Sequence, residues 1–279
     1  MKNHLEKVLS EIPQFLQHFS LCLLRPRRFI HAELQQAEQG DWISKGVEFL
    51  ILSFLIALFI SQVLPEAVNP ITLPANDAAY TVMATQALFD LFLLFFIAVI
   101  AFGCWKIVGV TASFWHFFRL FAYFCGVTLV LLVFADAITN IAMIDPIVAK
   151  SWIQLEQSAA ELRPLTEQML CHTDSETGEL LATSNEALQQ QLQQAQAVYD
   201  KATNRPLFLL GNSIQAVVYV VLLVWLSIAW AGYGKALQLS TGKIIQAGIL
   251  TLVLVFIAYM LLTLVQTGSQ MMAIYRACI

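Results

Sequence analysis

Two carboxylates stand in this 279-residue chain where carboxylates are costly: Asp90 and Asp136 lie inside long apolar runs. Ionisable groups at such positions default to functional hypotheses. Counted from the expected outer face, each sits about a third of the way across a bilayer-length helix. Gln86 lies one helical turn from Asp90, and Asn140 one turn from Asp136. Gln62, Asn212, Gln215 and Gln266 also fall near the same face. Antiparallel neighbours would bring Gln86, Asp90, Asp136 and Asn140 into one polar pocket open to the outside. Two close carboxylates share a proton, so the chemistry would be that of a proton, cation or small polar ligand site. The same residues also suit interhelical hydrogen bonding, worth about a kcal/mol per contact. That structural role is the weightier of the two.

Other chemistry is thin. His116 sits in a Trp-Phe-rich segment, His31 beside a basic cluster, and His4, His18 and His172 in polar flanks. None has a carboxylate and a nucleophile at enzymatic spacing, and neither G-x-S-x-G nor a glycine-rich phosphate loop occurs. No catalytic residue and no cofactor is expected, and no metal site either, since Cys22, Cys104, Cys125, Cys171 and Cys278 show no C-x-x-C or Cys/His spacing. Nothing points to nucleic acid.

The elements that carry these residues follow from length and polarity. Hydrophobic residues make up 58% of the chain and charged ones 12%, about half the charge of a soluble domain. Spans of about 20 apolar residues are expected at Gly46–Leu64, Tyr80–Gly103, Leu120–Met143, Leu207–Gly232 and Ile244–Gln266. The expected fold is all-α: a polytopic five-span helical bundle with an interfacial N-terminal helix and an extracytoplasmic helical hairpin. The segments are 1–45 (cytoplasmic and interfacial), 46–144 (spans one to three), 145–206 (hairpin), 207–267 (spans four and five) and 268–279 (outer tail). Lys2, Lys7, Arg25, Arg27, Arg28, Lys45, Lys106, Arg119, Lys235 and Lys243 then share one side. The short loop 65–79 on the other side has no Lys or Arg. The N-terminus is therefore expected inside and the C-terminus outside. Cys171 and Cys278 would then face an oxidising compartment, either bridged or as two free thiols; sequence cannot fix the geometry.

The first forty residues lack the order of a cleavable signal peptide. Phe15–Leu24 reads as a helix in the interface, or packed on the inner ends of the spans, with Phe19 and Leu23 in contact. Arg25, Arg27 and Arg28 are expected at the lipid headgroups, each worth about 1 kcal/mol near an anionic leaflet. Glu48 and Arg119 near the inner ends are read as snorkelling or pairing at the interface. In the hairpin, Trp152, Leu155, Leu162, Leu165 and Met169 would line one helix, and Pro164 would start or kink a segment. Ser184 would cap the second helix, with Ala187, Leu188, Leu192, Ala195 and Tyr199 on one face.

Three segments carry a family resemblance. They are Leu23-Leu-Arg-Pro-Arg-Arg-Phe29; Gly109-Val-Thr-Ala-Ser-Phe114 followed by Phe118-Arg-Leu-Phe-Ala-Tyr123; and Gly232-Tyr-Gly-Lys-Ala-Leu-Gln-Leu-Ser240 with Lys243. In order and placement these are similar to the Yip-type domain family of polytopic membrane proteins, in particular its bacterial relatives. The insert at 145–205 is longer than is usual there, and the N-terminal region is short, so small-GTPase binding does not carry over. The resemblance implies a non-enzymatic scaffold or assembly partner; with no sorting signal of eukaryotic type, the expected compartment is the bacterial cytoplasmic membrane. Membrane lipids and a protein partner or second copy would be its partners. The alternative is a transporter or channel component using the pocket around Asp90 and Asp136.

Overall fold

A computed structural model describes residues 2–36, 42–64, 77–171 and 186–277. These residues are almost wholly helical and contain no strand. The helices are α1 (Lys2–Leu24), α2 (Pro26–Gln36), α3 (Trp42–Val63), α4 (Asp77–Ile107), α5 (Phe114–Asn140), α6 (Pro146–Cys171), α7 (Glu186–Ala202), α8 (Pro206–Ala236) and α9 (Thr241–Ala277). Five of them contain stretches long and apolar enough to cross a membrane: Lys45–Val63, Leu88–Ile107, Phe114–Ile144, Pro206–Ala236 and Thr241–Val265. The chain is an all-α polytopic membrane protein, as expected.

Several boundaries differ from the hydropathy reading, each for a local reason. α5 starts at Phe114 rather than Leu120 because Ser113 caps it: the His116 N–H donates to Ser113 Oγ at 3.4 Å, and that hydroxyl lies 3.1 Å from His116 Nδ1. α9 runs on to Ala277, through residues expected as a tail; no proline stops it there. The helix α4 closes in a left-handed cap. Gly109 has φ +100°, its N–H donates to the Lys106 carbonyl, and Val110 N–H donates to the Trp105 carbonyl. α8 closes the same way, but the left-handed residue is Gln238, φ 59°, with Leu239 N–H reaching the Gly234 carbonyl.

The fold divides into two compact units. The first comprises Met1–Ala137 and Gln215–Phe256. Its core is aromatic and joins α1 and α2 to the spans: Phe15, Phe29, Phe49, Trp105, Tyr123 and Trp225 are all at least nine-tenths buried. Helices approach closely where a side chain is missing. A Cβ on Gly126 of α5 would fall 2.6 Å from Ser53 Oγ of α3, and one on Gly46 of α3 would fall 2.9 Å from the Arg119 carbonyl of α5. Between α1 and α2, Pro26 has no N–H to offer the Cys22 carbonyl four residues back. Trp225 of α8 takes that place, its indole N–H donating to the carbonyls of Leu23 at 3.0 Å and Cys22 at 3.3 Å. The N-terminal helices are thus packed on the spans, a placement compatible with a position in the interface.

The second unit comprises Ile138–Ile214 and Ile257–Ile279. In it α6 and α7 form a helical hairpin. The face α6 buries includes Leu155, as expected, but not Trp152; the side chains of Leu162, Leu165 and Met169 lie outside the described residues. Trp152 is exposed, although its ring packs 5.3 Å from Tyr199, while Val148, Ser151 and Ser158 are buried with Leu155 half-buried. On α7 the matching series is Leu192, Ala195, Tyr199 and Ala202. Both series step by three and four, the spacing of a coiled-coil seam. Small residues alternate in it with larger ones, and each serine hydroxyl donates to its own helix. Pro164 lies within α6 and does not start a segment. Asp145 caps α6 through its Oδ1, which accepts from Ile147 N–H at 3.0 Å; its Oδ2 accepts from Arg205 Nε at 2.5 Å.

Candidate functional site

The densest polar constellation lies where α2 crosses α5. Pro26 opens α2, and Phe29, Ile30 and Glu33 form its buried face. Arg119 and Tyr123 stand one turn apart on α5, both buried. Arg119 donates from its terminal guanidinium nitrogen to Glu33 Oε2, with the two side chains 4% and 5% exposed. Arg119 is also hydrogen-bonded to the Tyr123 hydroxyl. Its Nε has no partner. This pair was missed in the sequence. Arg119 reads as a cation that snorkels or pairs at a span end, and nothing local announces that its partner will be Glu33, 86 positions earlier.

Aromatic rings enclose the pair. Phe29 meets Tyr123 edge-on at 5.0 Å, Phe49 lies 4.8 Å from Tyr123, and Phe15 stacks on Phe49 at 4.7 Å. His18 of α1 packs 5.9 Å from Tyr123. Burial holds the His18 imidazole below its ordinary pKa; Glu33 opposes this, while Lys45 and Arg119 add to it. Burial likewise pushes the neighbouring Cys22 thiol far up, which leaves it unreactive. A small cavity of about 140 Å³ opens beside the cluster, between His18, Lys45, Glu48 and Tyr123. Chemically the arrangement is a latch. A charge pair removed from water holds firmly while both partners are present and fails badly when one is lost.

The second feature is a groove of about 890 Å³ between the α1–α2 corner and the apolar flank of α8. Arg25, Arg27 and Arg28 rim it, all exposed, and Val220, Val224 and Ile228 form the opposite wall. Cations on one edge and methyl groups on the other match an anionic amphiphile. Sequence proximity alone placed these arginines together; the groove needs α8, which arrives from 200 positions away.

The intramembrane residues resolve unevenly. Asp136 is half-buried, and its carboxylate accepts a hydrogen bond from the Gln215 side chain of α8. Gln215 in turn donates to the Tyr219 hydroxyl at 3.3 Å. Asp90 is exposed on α4, and Asn140 is half-buried at the end of α5; both make further contacts. The Gln86 side chain lies outside the described residues, as do the sulfurs of Cys171 and Cys278. Among the described residues no three metal-ligating side chains come together. Comparison with protein-family models, curated proteins and solved structures finds no match for this chain.

Proposed function

We propose that the protein is a non-enzymatic membrane scaffold that assembles with other membrane helices and presents a basic shelf at the inner face of a bacterial cytoplasmic membrane. The observation that carries this reading is α9. In the most apolar 18-residue window of its span, none of the residues is buried. Buried side chains of α9 lie at its start, at Ile244 and Ala247. A span with one half-buried face and the rest exposed offers a surface to a second copy or to a partner's helix, and in lipid such contacts rest on packing. The latch and the arginine rim support the same reading, because polar groups at the α1–α2 end fasten and display elements.

The orientation proposed is N-terminus inside and C-terminus outside, resting on the Lys/Arg asymmetry. Reporter fusions after Lys106, Lys235 and Ile279 should read inside, inside and outside; an inside reading at Ile279 contradicts it. The Yip-type resemblance, read from three short segments, points the same way.

One observation favours a second reading. Asp136 is a half-buried intramembrane carboxylate with a side-chain partner, which suits a transporter or channel component. Reconstitution into vesicles carrying a proton gradient separates the two. The scaffold reading expects proton leak equal to protein-free vesicles, and Asp136→Asn and Asp90→Asn variants that assemble like wild type. Leak above that level, abolished by either substitution, would establish the transporter reading.

A further inference from the structure

We infer that the first unit holds a binding site for an uncharged lipophile bearing a hydrogen-bond acceptor oxygen at one end. The site is a cavity of about 470 Å³ among α4, α5 and α8, within the size range of small-ligand pockets. Its walls are almost wholly apolar. The hydroxyls that reach it, on Thr128 and Thr251, donate to their own helix carbonyls at 2.8 Å and ask nothing of a ligand.

Two polar atoms do. Trp105 is completely buried and Tyr233 is 5% exposed; both line this cavity, and the Trp105 indole N–H and the Tyr233 hydroxyl have no hydrogen-bond partner. The buried Trp225 and the half-buried Trp230 show what is missing. Trp225 donates to Leu23 and Cys22, and Trp230 donates to the Ile244 carbonyl at 3.1 Å. A buried donor without an acceptor is destabilising, and more so where no water can reach it. Two such donors beside one unfilled apolar space are explained together by an acceptor that enters it.

The geometry narrows the ligand. Tryptophan only donates, so the ligand atom must accept. Among the described residues no cation lines the cavity, so an anionic head has nothing to pair with. Along α4 the lining runs from Trp105 to Leu94, about 16 Å at 1.5 Å per residue. Trp105 and Tyr233 stand near the α4 and α8 ends that face α2, and the opposite end, at Leu94 and Leu132, is purely apolar. Trp105 and Trp230 face each other at 4.4 Å between centroids, with Tyr233 edge-on to Trp105 at 5.2 Å. A planar carbonyl-bearing ring with a short apolar tail fits this layout, as does the ester carbonyl of an uncharged acylglycerol with its acyl chain; both present the same acceptor.

The test uses the purified full-length chain, delipidated in detergent, with tryptophan fluorescence and thermal unfolding as readouts. The probes are a decyl-substituted benzoquinone, a monoacylglycerol with a brominated acyl chain, and decylbenzene, which lacks the acceptor. Saturable quenching and stabilisation by either oxygen-bearing probe, and not by decylbenzene, is expected; which of the two acts identifies the source. Trp105→Phe and Tyr233→Phe should each weaken that probe about threefold to tenfold, the worth of one hydrogen bond. Without ligand, Tyr233→Phe should unfold at the same or a higher temperature than wild type, because it removes an orphaned hydroxyl. Leu129→Trp, which fills the cavity from a half-buried position, should abolish binding and leave the donors intact. Equal response to decylbenzene, no effect of the donor substitutions, or a lower unfolding temperature for ligand-free Tyr233→Phe would each overturn the assignment.

Discussion

Replacing Glu33 with Gln should release the N-terminal helices from the bundle far more often than in the wild type. Arg119 would stay buried with its charge no longer balanced; it is only 4% exposed. Losing one partner of a buried ion pair costs about 3–5 kcal/mol. The docking of α1 and α2 also rests on Phe15, Cys22, Phe29 and Ile30, all buried, at roughly 1.5–3 kcal/mol for each large apolar side chain. The helices should therefore remain docked on average while the opening equilibrium rises by about two to three and a half orders of magnitude. Cys22, fully buried between them, reports that opening. Alkylation located by mass spectrometry should modify it faster in Glu33→Gln by a factor of that order. Replacing both partners, Glu33→Leu with Arg119→Met, should restore slow labelling, since an apolar pair of similar volume is neutral or stabilising. Unchanged Cys22 labelling in the single variant, or a double variant as fast as the single, would refute the latch.

Gln238→Gly should stabilise the protein by about 0.5–1 kcal/mol, because the residue occupies the left-handed region at φ 59°; Gly109→Ala, at φ +100°, should destabilise it by about as much or more, and thermal unfolding reads both. The Arg205 hydrogen bond holds the Asp145 carboxyl below its usual range. Its contribution should be complete above the ordinary carboxylate value of about 3.9 and vanish as pH falls through the lowered one; Arg205→Gln should move the acid transition, followed by Trp152 fluorescence, to higher pH. His18 is held below its ordinary 6.5 by burial, against Glu33 and with Lys45 and Arg119. Stability should be full above that pH and decline as pH falls from it through the lowered value, and His18→Gln should flatten the dependence of the unfolding temperature on pH between 7 and 5.

What could be read from the sequence was whatever depends on local composition. Five spans, a helical insert and a basic N-terminal corner follow from residues close together in the chain. One misplaced boundary was decided by local hydrogen bonding: Ser113 caps α5 amid Trp115 and Phe117, whose bulk reads as an interface segment. On α6 only Trp152 was misplaced, because its bulk looks like a buried face; Leu155, Leu192, Ala195 and Tyr199 lie on the seam as read, and Ser151, Ser158 and Ala202, too small to stand out, complete it. The site was harder still. Glu33 and Arg119, the arginine rim and α8, and Trp105 and Tyr233 are each joined only by tertiary packing. Asp136 was found for its cost in a membrane, but its partner Gln215 stood in the sequence only as one of several polar residues near the same face.

The most direct measurement of assembly is a cysteine scan along α9 in native membranes. Single cysteines at successive positions from Ile249 to Leu264, in a chain with its own five cysteines replaced, would be oxidised and resolved by mass. This stretch includes Leu252, Phe256 and Leu264, all well exposed. A scaffold that meets another helix through this span predicts a discrete adduct, a homodimer or one heavier species, with maxima every three to four residues. Weak cross-linking of equal strength at every position would mean that α9 faces only lipid, and would contradict the assembly role.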